Sequence, residues 1–199
     1  MKNWLNSGRV SGKGMAMERT EIRFAGFGGQ GVVLAGVLLG TAAVLRDGKH
    51  ALQTQSYGAA ARGGAARSDV IISDEKIVYP QVTAPDIMAV FTTEALKKYQ
   101  SELKKDAILI IDEDLVIPPE NTSFRIYSIP ATSIAANELG RGIVANMIML
   151  GFLATLTGVV SIEALEETIR TSVPKGTEEL NLTAFRKGIE KAQEALIVT

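Results

Sequence analysis

From residue 26 to 31 the chain reads Gly26-Phe27-Gly28-Gly29-Gln30-Gly31, with four glycines in six positions. Such glycines permit a tight turn and let backbone N–H groups approach an anion where a helix begins. The flanks have the matching order. Residues 21–25 (EIRFA) alternate as a strand does, and 31–45 read as an apolar helix with small residues on one face. The run thus satisfies G-x-G-x-x-G between a strand and a helix. A dinucleotide site of that kind also needs an acid about 20 residues on, at the end of the second strand, to hold a ribose. That stretch reads Gln53-Thr54-Gln55-Ser56-Tyr57, and Asp47 falls too early, in a turn. Three readings stay open: a turn that packs helix on sheet, a contact with a subunit or an anionic cofactor, and a nucleotide site lacking its acid.

A second group of candidates runs from Ser56 to Ser68 (SYGAAARGGAARS). Arg62 and Arg67 flank a loop of small residues that includes Gly63 and Gly64. Arginine binds phosphate or carboxylate through two parallel hydrogen bonds, and glycine beside it removes bulk. Tyr57 either holds a hydrogen bond in this loop or packs there. Asn137, Glu138, Arg141 and Asn146 gather around two C-terminal helices. Asn146 stands inside an apolar run, so it needs a partner and is expected to hydrogen-bond a neighbouring loop. Asp112, Glu113 and Asp114 follow the apolar run 107–111, at the strand end where α/β sheets place ligands; a solvated turn is the plainer reading. "GRVSGKG" at 8–14 is one residue short of a phosphate loop and carries Gly14 where magnesium needs Ser or Thr.

These residues need a scaffold, and the rest of the sequence describes one. Strands are expected at 51–57, 68–73, 77–79, 86–92, 107–111 and 123–129. The strand at 77–79, after an Asp74-Glu75 turn, would close a hairpin with 68–73. Thr93 is expected to cap a helix over 94–104, with lysines suited to its C-terminal half. Beyond Pro130 helices are expected near 133–139, 144–155, 162–170 (capped by Ser161) and 182–197. Alternating strands and helices with β-branched strands predict an α/β fold: a mostly parallel sheet flanked by helices, Rossmann-like, with a helical C-terminal third. Residues 1–18 read as a flexible leader and 19–199 as a single domain.

The composition excludes several classes of function. The 199 residues contain no cysteine, so this chain ligates no iron–sulfur cluster through cysteine and carries no thiol nucleophile. One histidine, His50, leaves little room for histidine metal sites or a catalytic triad. A net charge of −1 argues against nucleic acid as a partner. The apolar runs 32–45 and 143–156 are shorter than the roughly 20 residues that span a bilayer. With no secretory signal at the N-terminus, a cytoplasmic location is expected.

Taken together, the motifs resemble the gamma subunit, or gamma domain, of 2-oxoacid:ferredoxin oxidoreductases. "GFGGQG" followed by "VVLAG" resembles that family's opening, and "QSYGAAARGGAARSDVIIS" at 55–73 resembles its next motif. Pro85-Asp86-Ile87, Glu94-Ala95-Leu96, Ala145-Asn146-Met147 and Leu150-Gly151 add to the likeness, which covers about residues 20 to 190. The family usually has Ser-Tyr-Gly-Pro-Glu-x-Arg-Gly-Gly; this chain has Ala59 and Ala60 for Pro-Glu and keeps Arg62-Gly63-Gly64.

The resemblance implies a complex that decarboxylates a 2-oxoacid on thiamine diphosphate, passes electrons singly through iron–sulfur clusters to ferredoxin and transfers the acyl group to coenzyme A. The implied substrate is 2-oxoglutarate, with pyruvate, branched-chain 2-oxoacids and indolepyruvate open. The implied partners are alpha and beta subunits, a ferredoxin-like subunit and ferredoxin. The catalytic centre lies outside this chain. Gly26, Gly28, Gly29, Gln30, Gly31, Tyr57, Arg62, Gly63, Gly64 and Asn146 are its cofactor-binding or interface candidates. A stand-alone Rossmann-type nucleotide-binding domain and a pure scaffold are the alternatives. The isolated chain is expected to be able to homodimerise.

Overall fold

The computed structural model describes residues 19–57, 65–120 and 122–198, with the Val198 side chain excepted. Six strands form one sheet in the order β2-β3-β1-β4-β5-β6. They are β1 (Thr20–Phe27), β2 (His50–Tyr57), β3 (Ala65–Ser73), β4 (Ile87–Val90), β5 (Ile108–Asp112) and β6 (Arg125–Ile129). β1, β4, β5 and β6 are mutually parallel, whereas β3 is antiparallel to both of its neighbours. The expected mostly parallel α/β sheet is present, and everything after β6 is helical.

The helices divide unequally between the two faces. On one lie α1 (Val32–Leu45), α4 (Ala145–Thr157), α5 (Ile162–Ser172) and α6 (Glu178–Val198). Their side chains join Ile22, Phe24, Ile87, Ala89 and Ile110 of the sheet in one apolar cluster. α4 is apolar on every side and is buried between its neighbours, as such a helix must be. It packs backbone to backbone on α6: a Cβ on Gly188 would overlap the Ile148 carbonyl oxygen, and one on Gly151 would overlap that of Phe185. Among the described residues the other face carries only α2 (Thr93–Tyr99), a 3₁₀ turn (Gln100–Glu102) and a smaller cluster around Met88, Val90, Leu109 and Ile111.

Two local expectations are corrected. Residues 77–79 are not a strand. Both edges of β3 are already taken, by β1 and β2, so a third hairpin arm has no free edge to join. Instead the Arg19 guanidinium donates to the Tyr79 and Gln81 carbonyls at 3.0 and 3.3 Å, and Val78 is 90% exposed. The cap of α2 is Thr92, not Thr93: Ala95 N–H donates to Thr92 Oγ1 at 3.2 Å. Thr93 serves the next loop, its hydroxyl donating to the Leu115 carbonyl and accepting from Ile117 N–H. The Ser161 cap of α5 is present as expected, accepting from Ala164 N–H at 3.3 Å. The helix after Pro130 begins as α3 (Ala131–Ser133) and widens at once into a π turn (Ile134–Glu138). A 3₁₀ turn (Gly142–Val144) leads into α4.

Candidate functional site

The glycine-rich turn joins the C-terminal end of β1 to α1, at the sheet edge where parallel strands present ligands. Its shape is held by Gln30. The Gln30 carboxamide oxygen accepts from Phe27 N–H at 2.7 Å, while its backbone N–H donates to the Phe27 carbonyl at 3.2 Å. The Gln30 amide group reaches the Phe91 carbonyl beyond β4 at 3.5 Å. Gly29 and Gly31 have φ of 99° and 74°, values that favour glycine. At Gly31 the space is closed as well, since a Cβ would overlap the Asn146 side chain.

Asn146 is the buried polar residue that needed a partner. Its Nδ2 donates to the Gly31 carbonyl at 3.2 Å, tying the start of α4 to the start of α1 across 115 residues of sequence. α1 begins with no side-chain cap and no acid in its first turn, so its leading N–H groups and positive dipole end are left at this edge. Gly28 and Gly29 form the exposed tip.

The described ends of the second motif lie level with this turn. Tyr57 and Ala65, which bracket residues 58–64, sit at the register of the turn: Tyr57 pairs with Ala66 and Phe27 with Ala65. Arg62, Gly63 and Gly64, like Ala59 and Ala60, lie outside the described residues. Tyr57 is exposed at the end of the edge strand β2. Thus Gly26, Gly28, Gly29, Gln30, Gly31 and Asn146 converge directly, and Tyr57 stands beside them across β3. Arg67 goes elsewhere, 3.5 Å from the Asp69 carboxylate and over the Tyr99 ring.

A small cleft of about 220 Å³ opens beside the turn, lined by Gly29, Gln30, Phe91, Thr132, Gly142 and Ile143 among others. Thr132 and Ile143 escaped the sequence reading. The one signal pointing to Thr132 was its place just past Pro130, at the end of β6. Of the nearby acids, Asp112 and Asp114 are engaged within the protein, while Glu113 is exposed. Thr132 Oγ1 donates to Asp112 Oδ2 at 2.6 Å, and Ser133 donates to Asp114 through both N–H and hydroxyl, at 2.6 and 2.7 Å. They cap the turn into the next helix. Asp112 is fully buried, and that burial raises its pKa against the opposing hydrogen bonds from Thr132 and Asp114.

A dinucleotide fits this arrangement poorly. The antiparallel β3 lies between β1 and β2, so the end of β2 is level with the turn but one strand removed from it, and it carries no acid. The Phe27 N–H, moreover, is already used by Gln30. Among the described residues no group of three His, Cys, Asp or Glu could hold a metal ion, and no helix is long and apolar enough to cross a membrane.

Residues 21–191 match the family described as pyruvate ferredoxin/flavodoxin oxidoreductase. The 2-oxoglutarate synthase subunit KorC of Methanocaldococcus jannaschii is 52% identical over 178 residues, covering 88% of this chain and 95% of that one. The crystal structure of a keto/oxoacid ferredoxin oxidoreductase gamma subunit from Geobacter sulfurreducens superposes with a TM-score of 0.79 at 44% identity, covering 88% of this chain and 99% of that one. A 2-oxoglutarate:ferredoxin oxidoreductase from Magnetococcus marinus, solved with 2-oxoglutarate, coenzyme A and succinyl-CoA, gives 0.80 at 27% identity. It matches 89% of this chain but only 31% of its own length, so there the same unit is part of a longer polypeptide.

Proposed function

On the footing that the chain belongs to the pyruvate ferredoxin/flavodoxin oxidoreductase family, we propose that it is the gamma subunit of a 2-oxoglutarate:ferredoxin oxidoreductase. The complex converts 2-oxoglutarate and coenzyme A to succinyl-CoA and carbon dioxide. The two electrons released reduce two ferredoxins, one each. The observation that carries the substrate is the 52% identity across nearly the whole KorC subunit. In this reading residues 19–199 form one gamma domain, working in the cytoplasm with alpha and beta subunits and a ferredoxin-like subunit.

The chemistry sits on those partners. Thiamine diphosphate supplies the carbanion chemistry and iron–sulfur clusters carry the electrons, but this chain's residues fit neither. It has no cysteine, and its described residues offer no acidic cluster for the magnesium that binds a diphosphate. What it does offer is an anion-friendly edge: Gly28 and Gly29 at an exposed tip and the uncapped start of α1, to which the sequence adds the Arg62-Gly63-Gly64 motif. Gln30 and Asn146 hold that edge in shape. This edge faces the alpha and beta subunits or the phosphates of coenzyme A.

Co-expression with the neighbouring genes and purification through a tag on this chain tests the assignment. The partners, iron and thiamine diphosphate are expected to co-elute, with dye reduction that depends on 2-oxoglutarate and coenzyme A. If the chain elutes alone, the assignment is wrong. Arg62→Ala is expected to weaken either assembly or the apparent affinity for coenzyme A by about tenfold; no change in either removes Arg62 from the site.

A further inference from the structure

The face formed by α1 and the edge strand β2 is built to be covered. α1 carries no charge over its 14 residues and is apolar all round. Buried helices have that character, yet Val37, Val44 and Leu45 are 40%, 43% and 70% exposed. They border a groove of about 390 Å³ floored by Gly40, Ala51 and Gln53. Beside it runs β2, eight residues at the sheet edge, with no strand on its outer side among the described residues. Solitary edge strands are normally blunted by lysine, proline, a bulge or short length. β2 (HALQTQSY) has no lysine, no proline and full length, and pairs with β3 residue for residue without a bulge.

We propose that this face receives a second copy of the same chain, with β2 pairing antiparallel to β2 of its partner and α1 packing on α1. Charge decides for a copy. A two-fold interface sets each group near its own image, so any charge close to the axis would repel itself. From 50 to 57 and from 32 to 45 there is none at neutral pH. The charges Arg46, Asp47 and Lys49 collect at the N-terminal end of β2. With Thr54 facing its own image on the two-fold axis, antiparallel pairing holds the two sets at least about 26 Å apart, at roughly 3.3 Å per residue.

The spacing also suits it. α1 lies over β3 and β2, and paired sheets would put the two copies of β3 three strand spacings, about 14 Å, apart. Because α1 packs on β2 as well as on β3, the helix axes fall inside that span, toward the roughly 8–10 Å of packed pairs, with the exposed Val37 and Val44 beside β2. One sheet layer and one helix layer along that length give a flat footprint of about 500 Å². Interdigitation raises the accessible area lost toward the roughly 800 Å² per partner of stable dimers.

This inference is independent of the proposed activity, because its readout is mass. Sedimentation of the purified full chain is expected to show a dimer at roughly 10 µM, and Val37→Glu to raise the dissociation constant at least about 100-fold. The thermal melt of dilute Val37→Glu is expected to match that of dilute wild type, which separates lost docking from lost folding. Because the chain has no cysteine, Thr54→Cys should cross-link under oxidation as a single disulfide, whereas Tyr127→Cys on the opposite edge strand should not. A monomer at all concentrations, or a dimer indifferent to Val37→Glu, overturns the proposal. So does a monomer in which Val37→Glu instead blocks co-purification of the other subunits, since a different subunit then covers this face.

Discussion

The two faces of the sheet solve burial in opposite ways. The face under α1, α4, α5 and α6 is filled mainly with hydrocarbon and is so closely packed that α4 and α6 meet at Gly151 and Gly188. The thin face under α2 buries an ionic group instead. Arg23, fully buried in the central strand, donates to both carboxylate oxygens of Asp69 at 2.6 and 3.2 Å and also to Glu102. Its guanidinium lies 5.1 Å from the centre of the Tyr99 ring. Burial, the largest single influence, lowers the pKa of Arg23. The hydrogen bonds and charges of Asp69 and Glu102 together outweigh it, and the pKa is held above its ordinary value. Four helices can fill a face with hydrocarbon. A single helix of seven residues leaves room to be filled by a long, fully hydrogen-bonded side chain.

The largest break expected in this contrast is Gly188→Leu. The added side chain has no place beside the Ile148 carbonyl, so α4 and α6 must part. A loss of about 4 kcal/mol, or failure to fold, is expected in urea denaturation. An unchanged midpoint would mean that the helix pair opens there freely.

Next is Asp69→Leu, expected to cost about 3 kcal/mol because Arg23 keeps its charge and loses its main partner. The sharper test adds Arg23→Met. The double variant should recover most of that loss, since an apolar pair of similar volume needs no compensation and Glu102 can turn to solvent. If the double variant is as unstable as Asp69→Leu alone, the thin face depends on the ion pair for more than charge balance.

The smallest effect concerns Asp112, between the two faces at the end of β5. Its folded pKa lies above that of the unfolded chain because burial disfavours the charged form. Its favourable contribution is therefore complete below the unfolded carboxylate pKa, about 3.9, and is lost as pH rises through the folded value. Asp112→Asn should flatten the pH dependence of stability in that window. Thr132 can still be bonded by the new carboxamide. Stability measured against pH with an unchanged slope would show that Asp112 is not the group responsible.

The candidate site was legible in part, for reasons visible residue by residue. The turn at 26–31 showed itself because its glycines are adjacent in sequence and bounded by a strand and a helix. Asn146 showed itself because amide in an apolar run must find a partner, though nothing local said that the partner was the Gly31 carbonyl. Thr132 and Ile143 carry no pattern of their own and enter the cleft only through the way β6 and the π turn end. The misplaced strand at 77–79 failed for a related reason: β propensity is local, whereas the availability of an edge on β3 depends on β1 and β2.

The sequence by itself settled the alternation of elements, the absence of cysteine chemistry and the family motifs, because periodicity, composition and short spacings need no knowledge of neighbours. Tertiary structure alone decided that β3 lies between β1 and β2, which removes the ribose position from the glycine turn. It alone showed that the charges in TEIRFAGF are buried: Arg23 is fully covered and paired, and the Glu21 carboxylate accepts from Arg19 and from the N–H of Thr83. Strand order and charge pairing are fixed by contacts between residues far apart in the chain. Those contacts form only when distant segments compete for the same edges and the same buried space.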